Sequence, residues 1–195
     1  MAVSLITIEK RYGSTTMAIF SVSLPDREPV FMSVAETPYE NEHRGVVIVD
    51  AGKFLNLWRA DPFKYQQELA RGNPDTWRQD RDYHYAEDGF SYGFKNPVPL
   101  ACVRYSERDI LSVTYKFLRF GRKEHIRRSR YVSFLDGLTR TIWLLSHRCK
   151  AFPVECPTSS AHNLHRQAAV AGTQVFTVRD VQGGLIPVNH KPPYN

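Results

Sequence analysis

The sequence predicts a single α+β domain, and three observations carry that reading. Its 195 residues make one domain with a full core and are short for two. A hydrophobic fraction of 42% and a charged fraction of 24% are ordinary for a globular chain. Runs of period two, rich in β-branched and aromatic residues, mix with runs of helical period, and no internal repeat or linker divides them.

Taken in order, residues 4–8, 17–24 and 30–34 alternate loosely and are separated by Gly13 and Pro25-Asp26, which predicts two or three antiparallel strands. Residues 45–50 form an unbroken apolar run ending in Asp50, the pattern of a central strand. A short helix is predicted over 51–59 and a second over 63–71, with Pro62 between them. Residues 72–93 are rich in turn formers, charges and aromatics but have no period, so they predict a long ordered loop. Residues 99–105 read as a strand, and 106–120 fit helix and extended chain equally. Residues 131–136 alternate as a strand again. Asp136 suits an N-cap, Gly137 permits a sharp turn, and Leu138, Ile142, Leu145 and Cys149 then recur at helical spacing as a buried stripe. Residues 152–155 form a further strand, expected beside 132–135. A helix over 160–171 and a strand over 174–178 precede the loose end marked by Gly183-Gly184 and Pro192-Pro193.

The net charge of +6 is concentrated. From Arg119 to Arg130 there are six cations (Arg119, Arg122, Lys123, Arg127, Arg128, Arg130) and one acid, Glu124. Such a run attracts nucleic acid, an anionic membrane face or an acidic protein surface, and its plain alternative is a solvated face. No apolar run approaches the roughly 18 residues of a membrane span, and the first ten residues are charged too early for a secretory signal. Cys102, Cys149 and Cys156 make no even disulfide framework, so reduced thiols in a cytoplasmic protein are expected.

The turn Asp136-Gly137-x-x-Arg140 is the most informative motif. It is either a fold-defining turn, with Arg140 paired to a carboxylate, or an anion site. In the second case Thr139 and the open N–H groups of the helix start hold a phosphate whose charge Arg140 balances. Asp80, Asp82, Glu87, Asp88, Glu107 and Glu155 are the acids available to hold a divalent cation, with ion pairing to Arg78 and Arg81 as the alternative. Cys156, His162 and His165 lack the further ligand that zinc sites carry at recognisable spacing, so no metal site is predicted. Trp77, with Arg78 beside it in the long loop, is the candidate contact anchor.

The order strand, Asp136-Gly137-x-x-Arg140, helix, then Phe152-Pro153-Val154-Glu155 resembles the core of the ParB/sulfiredoxin superfamily, and Asn96-Pro97-Val98-Pro99-Leu100-Ala101 is similar to that superfamily's first conserved box. Together with Gly72-Asn73-Pro74-x-x-Trp77-Arg78-x-Asp80, Gly89-Phe90-Ser91 and Gly137-x-Thr139-Arg140-Thr141-Ile142-Trp143-Leu144-Leu145, these boxes look like those of the plasmid fertility-inhibition factors. The resemblance runs over about residues 46–156, with strands of 1–45 and an extension of 157–195 expected to pack on that core. Sulfiredoxin chemistry needs a cysteine directly after the turn glycine; Leu138 stands there and supplies no thiolate, which excludes that activity. Nucleotide-binding members carry several basic residues across the turn, where this chain has only Arg140 after Thr139.

The resemblance implies two functions of different class. One is an inhibitor that acts by binding the coupling-protein ATPase of a conjugative type IV secretion system. It would be cytoplasmic, recruited to the inner membrane by that partner, and would use the Trp77–Arg78 loop and the run of Arg122, Lys123, Arg127, Arg128 and Arg130. The other is an ATP-dependent DNase acting on the transferring DNA, with ATP and Mg²⁺ as cofactors. The binding inhibitor is the favoured reading, since one basic residue on the turn is little for a nucleotide.

Overall fold

The computed structural model describes residues 2–13, 15–38, 41–63, 65–116 and 121–184, with backbone alone at 112–116 and 121–124. The chain opens with three strands, β1 (Val3–Arg11), β2 (Thr15–Val22) and β3 (Val30–Ala35), joined as an antiparallel meander. Strand β4 (Arg44–Asp50) leads directly into α1 (Ala51–Arg59), whose N-cap Asp50 accepts the Lys53 N–H at 2.9 Å. The second predicted helix is confined to α2 (Gln67–Arg71), because Gln66 sits in the left-handed region at φ 53° and cannot continue a helix from its N-terminal side.

Residues 72–93, expected as a loop, hold two short helices, α3 (Pro74–Trp77) and α4 (Tyr83–Ser91). Asn73 and Thr76 form a reciprocal capping box around Pro74, a start signal that can stand without hydrophobic periodicity in a helix of four residues. Strand β5 (Val98–Pro99) then pairs parallel with β3. The ambiguous stretch is extended: β6 (Ala101–Lys116) and β7 (Gly121–Asp136) are antiparallel strands of 16 residues each. Helix α5 (Leu138–Ser146) and strand β8 (Ala151–Pro157) follow as predicted, then α6 (Thr158–Ala168). The predicted last strand shrinks to β9 (Phe176–Thr177), because Thr177 caps α7 (Val178–Gln182) through a box with Asp180.

Two mixed sheets result, with orders β1-β2-β3-β5 and β7-β6-β8-β4-β9. The expectation that 132–135 and 152–155 are neighbours is therefore corrected. The long hairpin seats β6 between them, and Cys102 pairs with Asp136 on one side and Glu155 on the other. Helix α5 carries the chain across β6 to reach β8.

One core joins both sheets, with Phe20 and Met32 from the first meeting Val47, Phe152 and Val154 of the second. Helix α5 is buried more completely than its predicted stripe: every residue from Thr141 to Ser146 is buried. Trp143 stacks on Phe90 of α4 at 4.2 Å, and Phe54 of α1 meets Phe134 and Phe152 edge-on. The Trp143 Nε1–H is the one buried side-chain polar group without a partner among the described residues. A smaller cluster of Ile6, Met17, Ile19 and Phe31 lies apart from this core, and Phe94 packs edge-on to Phe31.

Candidate functional site

The signature turn sits where the sheet, α4 and α5 meet. Gly137 has φ 83°, and a Cβ built there would lie 2.6 Å from the Ala101 Cα and 2.8 Å from the Arg140 guanidinium. No L side chain fits that space or that backbone angle. Gly137 itself occupies the N-cap position, and no side chain caps α5; Asp136 does not perform the capping role expected of it. Its carboxylate pairs instead with Arg140 one turn on, and this pair joins a mostly covered Arg140 to an Asp136 that is 74% exposed. The first-turn N–H groups of α5 are thus left without a side-chain acceptor.

Asp136, Gly137, Thr139 and Arg140 all line one cleft of about 640 Å³. Its far wall is α4 and the segment 96–99, and Tyr65, Tyr85 and Tyr92 stand on its rim, each 60% or more exposed. Sequence reasoning found the turn but missed these tyrosines, which lie on separate elements with no common spacing. Chemically the cleft offers aromatic faces, the uncapped start of a helix and one guanidinium. Any anion reaching Arg140 competes with Asp136 for it.

The candidate acids are dispersed and mostly engaged. Glu155 accepts from Arg44 Nε at 2.7 Å and Nη2 at 2.8 Å, and Asp80 accepts the Asp82 N–H at 3.0 Å. Asp82 also faces Arg81 at 3.3 Å. Among the described residues, no three of His, Cys, Asp and Glu come together as a metal site. His165 Nε2 lies 2.8 Å from the Thr173 carbonyl, and burial pushes the Cys156 thiol up to about 12.

Trp77 is not a contact anchor. It is 3% exposed, and its Nε1–H donates to the Leu69 carbonyl at 2.7 Å. Arg78 is half exposed, donates to the Ser146 carbonyl at 3.3 Å and faces Asp75 at 3.7 Å. With Arg27 and His147 it lines a second cleft of about 720 Å³. There the Arg27 Nη1 donates to His147 Nε2 at 3.1 Å, while His147 Nδ1 faces the Trp143 carbonyl at 2.9 Å.

The basic run lies on the β6–β7 hairpin. Arg119 lies outside the described residues, as do the side chains of Arg122 and Lys123. Two of the other cations are matched across the ladder: Arg128 donates to Asp109 at 2.9 Å, and Arg130 lies 3.4 Å from Glu107. The bond from Arg128 holds Asp109 below the usual carboxylate range; Glu107 is lowered first by the Tyr105 hydroxyl, which donates at 2.7 Å, and then by Arg130. Arg127 is exposed beside them. Leu111 and Ile126 pair directly across the same ladder and are 52% and 75% exposed. The signal for this arrangement was present, because Glu107-x-Asp109 and Arg128-x-Arg130 mirror each other about the hairpin turn.

The family model of the plasmid fertility inhibition factors matches residues 46–169. Protein osa of Shigella flexneri is 26% identical over 136 residues, which are 70% of this chain and 60% of that protein, so the match spans less than two thirds of that relative. The crystal structure of Oncogenic Suppression Activity Protein, a plasmid fertility inhibition factor solved as its gold(I) cyanide derivative, superposes with a TM-score of 0.65. That likeness covers 93% of this chain and 84% of the other at 23% identity, and it shows a shared fold. With the turn, the cleft and the hairpin inside or bordering the matched span, the chain belongs to the plasmid fertility inhibition factor family.

Proposed function

We propose that this chain suppresses transfer of a co-resident plasmid by binding the coupling-protein ATPase that feeds DNA into a conjugative type IV secretion channel, without chemistry of its own. The observation that carries the reading is the hairpin: a long cationic projection whose outer half bears Arg127, Arg128 and the exposed Leu111–Ile126 pair. Exposed charge beside exposed apolar surface suits a protein partner, since charge steers the encounter and apolar area holds the complex. The protein acts from the cytoplasm and reaches the inner membrane through its partner. Among the described residues, no helix is long and apolar enough to cross a membrane.

The test is a pull-down of purified coupling-protein ATPase domain by this chain, paired with conjugation frequency in cells. Retention of the domain, together with suppressed transfer, is expected. No retention alongside full suppression would overturn the reading. A second reading, an ATP-dependent DNase acting on the transferring DNA, draws its support from the cleft beside Arg140. Incubation with ATP, Mg²⁺ and plasmid DNA separates the two: nicked or degraded plasmid, lost in Arg140→Ala, would favour the enzyme.

A further inference from the structure

We propose that the outer edge of β7, over residues 126–131, takes an acidic extended segment of a partner protein as an added strand. The inference deepens the binding-inhibitor reading and rests on it.

Strand β7 ends its sheet, with β6 on one side and no strand of the described residues on the other. Alternate residues of such an edge turn their N–H and C=O groups outward, a template for another chain. The usual protections are a short strand, a proline, a bulge or a covering element. Here the edge strand has 16 residues and no proline, and the one irregularity in its pairing with β6 is opposite Cys102/Val103 at its base. The segment after α1 touches the inner part of this stretch, where Ser129 Oγ donates to the Ala60 carbonyl at 3.0 Å and Phe63 meets Tyr131 edge-on; farther out, over 126–128, what remains as protection is charge. From Arg122 to Arg130 this strand has five Lys and Arg against one acid, Glu124, so a second copy of it would meet like charge. An acidic strand meets the opposite sign.

The two faces of the edge specify the incoming side chains further. Ile126, Arg128 and Arg130 share one face by the period of two, and there the two arginines are occupied by Asp109 and Glu107 while Ile126 is exposed. Arg127 lies on the other face with Ser129 and Tyr131. An added strand therefore places an apolar side chain beside Ile126 and an acid beside Arg127, which is an alternating acidic and apolar segment. Nucleic acid would use the cations but neither the backbone edge nor the apolar pair.

The test uses the full chain and a fluorescein-labelled peptide of about ten residues alternating glutamate and valine, the length of a long strand. Its partner probe is the same peptide N-methylated on alternate amides, which keeps charge and composition but removes backbone donors. Fluorescence anisotropy should show the unmodified peptide binding, with N-methylation, Ile126→Ser and Arg127→Glu each weakening it about tenfold. Both variants should melt with the wild type, since both side chains are exposed. Equal binding of the methylated peptide would overturn strand addition and leave a plain charge patch. Duplex DNA binding through the same residues, with no peptide binding, would also overturn it. If the peptide binds as expected but the coupling-protein pull-down is empty, the edge inference stands and the proposed target falls.

Discussion

Gly137 carries two constraints at once, a left-handed backbone and a contact with the Ala101 backbone. Gly137→Ala should therefore destabilise the chain by about 3 kcal/mol, combining a strained φ with a backbone clash, as read by chemical denaturation. Arg140→Ala is a different case, because its partner Asp136 is largely exposed and solvent screens the pair. That change should cost roughly 1 kcal/mol or less. It should also weaken any inorganic phosphate or nucleotide binding in the cleft, measured by calorimetry. A loss of several kcal/mol would instead make Arg140 a structural strut. His147 supplies the pH dependence. Burial lowers its affinity for a proton, and Arg27 and Arg78 lower it further, against the opposing pull of the Trp143 carbonyl and Glu87. The fold thus favours the neutral ring, so its contribution is complete above the ordinary histidine range and is lost as pH falls through and below it. Melting temperatures taken from about pH 8 to about pH 5 should fall more steeply in wild type than in His147→Gln. Trp77 marks where residue type misled: a tryptophan among charges reads as a contact anchor, but its ring N–H has a carbonyl of α2 within reach.

Among the elements, the hairpin makes the sharpest prediction. Replacing Arg122, Lys123, Arg127 and Arg128 together by Gln should slow association with the partner, and the deficit should shrink at high salt as screening grows. Arg128→Gln also strips Asp109 of its donor, so that position should alter the local ladder as well as the charge. Arg127→Gln alone isolates the charge effect. Full inhibition of conjugation by the four-fold variant would reduce the hairpin to a solvated surface, and buried Trp77 could not take over as the contact. The strand over 131–136, α5 and β8 were legible because burial on a defined face imposes a period. The outer hairpin was not, because its described side chains over 108–111 and 125–128 are largely exposed, and polar residues there carry no period. Helices α3 and α4 were missed for a related reason: four and nine residues give too few turns for periodicity, and the Asn73–Pro74 start signal stood alone.

At the scale of the whole molecule, the two sheets share one core. Phe20, Met32 and Val34 of the first sheet lie in the same cluster as Val47, Phe152 and Leu164. A fragment beginning at residue 41, which holds the whole matched span, should therefore fail to fold cooperatively, while the full chain melts in one transition. Circular dichroism melts of the two check this, and a sharp transition in the fragment would make 46–156 an independent core with the first strands as an accessory. The fold class and the single domain were legible from composition and periodicity. The strand order was not, since it depends on β6 lying between β7 and β8, a choice made by a hairpin whose polar sequence left it ambiguous.

The same strand order has a mechanical consequence. Strand β7 runs unbroken for 16 residues, roughly 50 Å, from the projecting end to Asp136 at the lip of the cleft. A pull outward along the hairpin, whose arms the chain itself joins beyond Lys116 and Gly121, loads both arms along their length and does not part the β6–β7 ladder as a zipper. The same pull along β6 reaches its parallel partner β8 in shear, where rungs share the load. An outward pull on the hairpin should therefore be carried into the body along both arms, so the hairpin should hold as a stiff lever instead of unzipping.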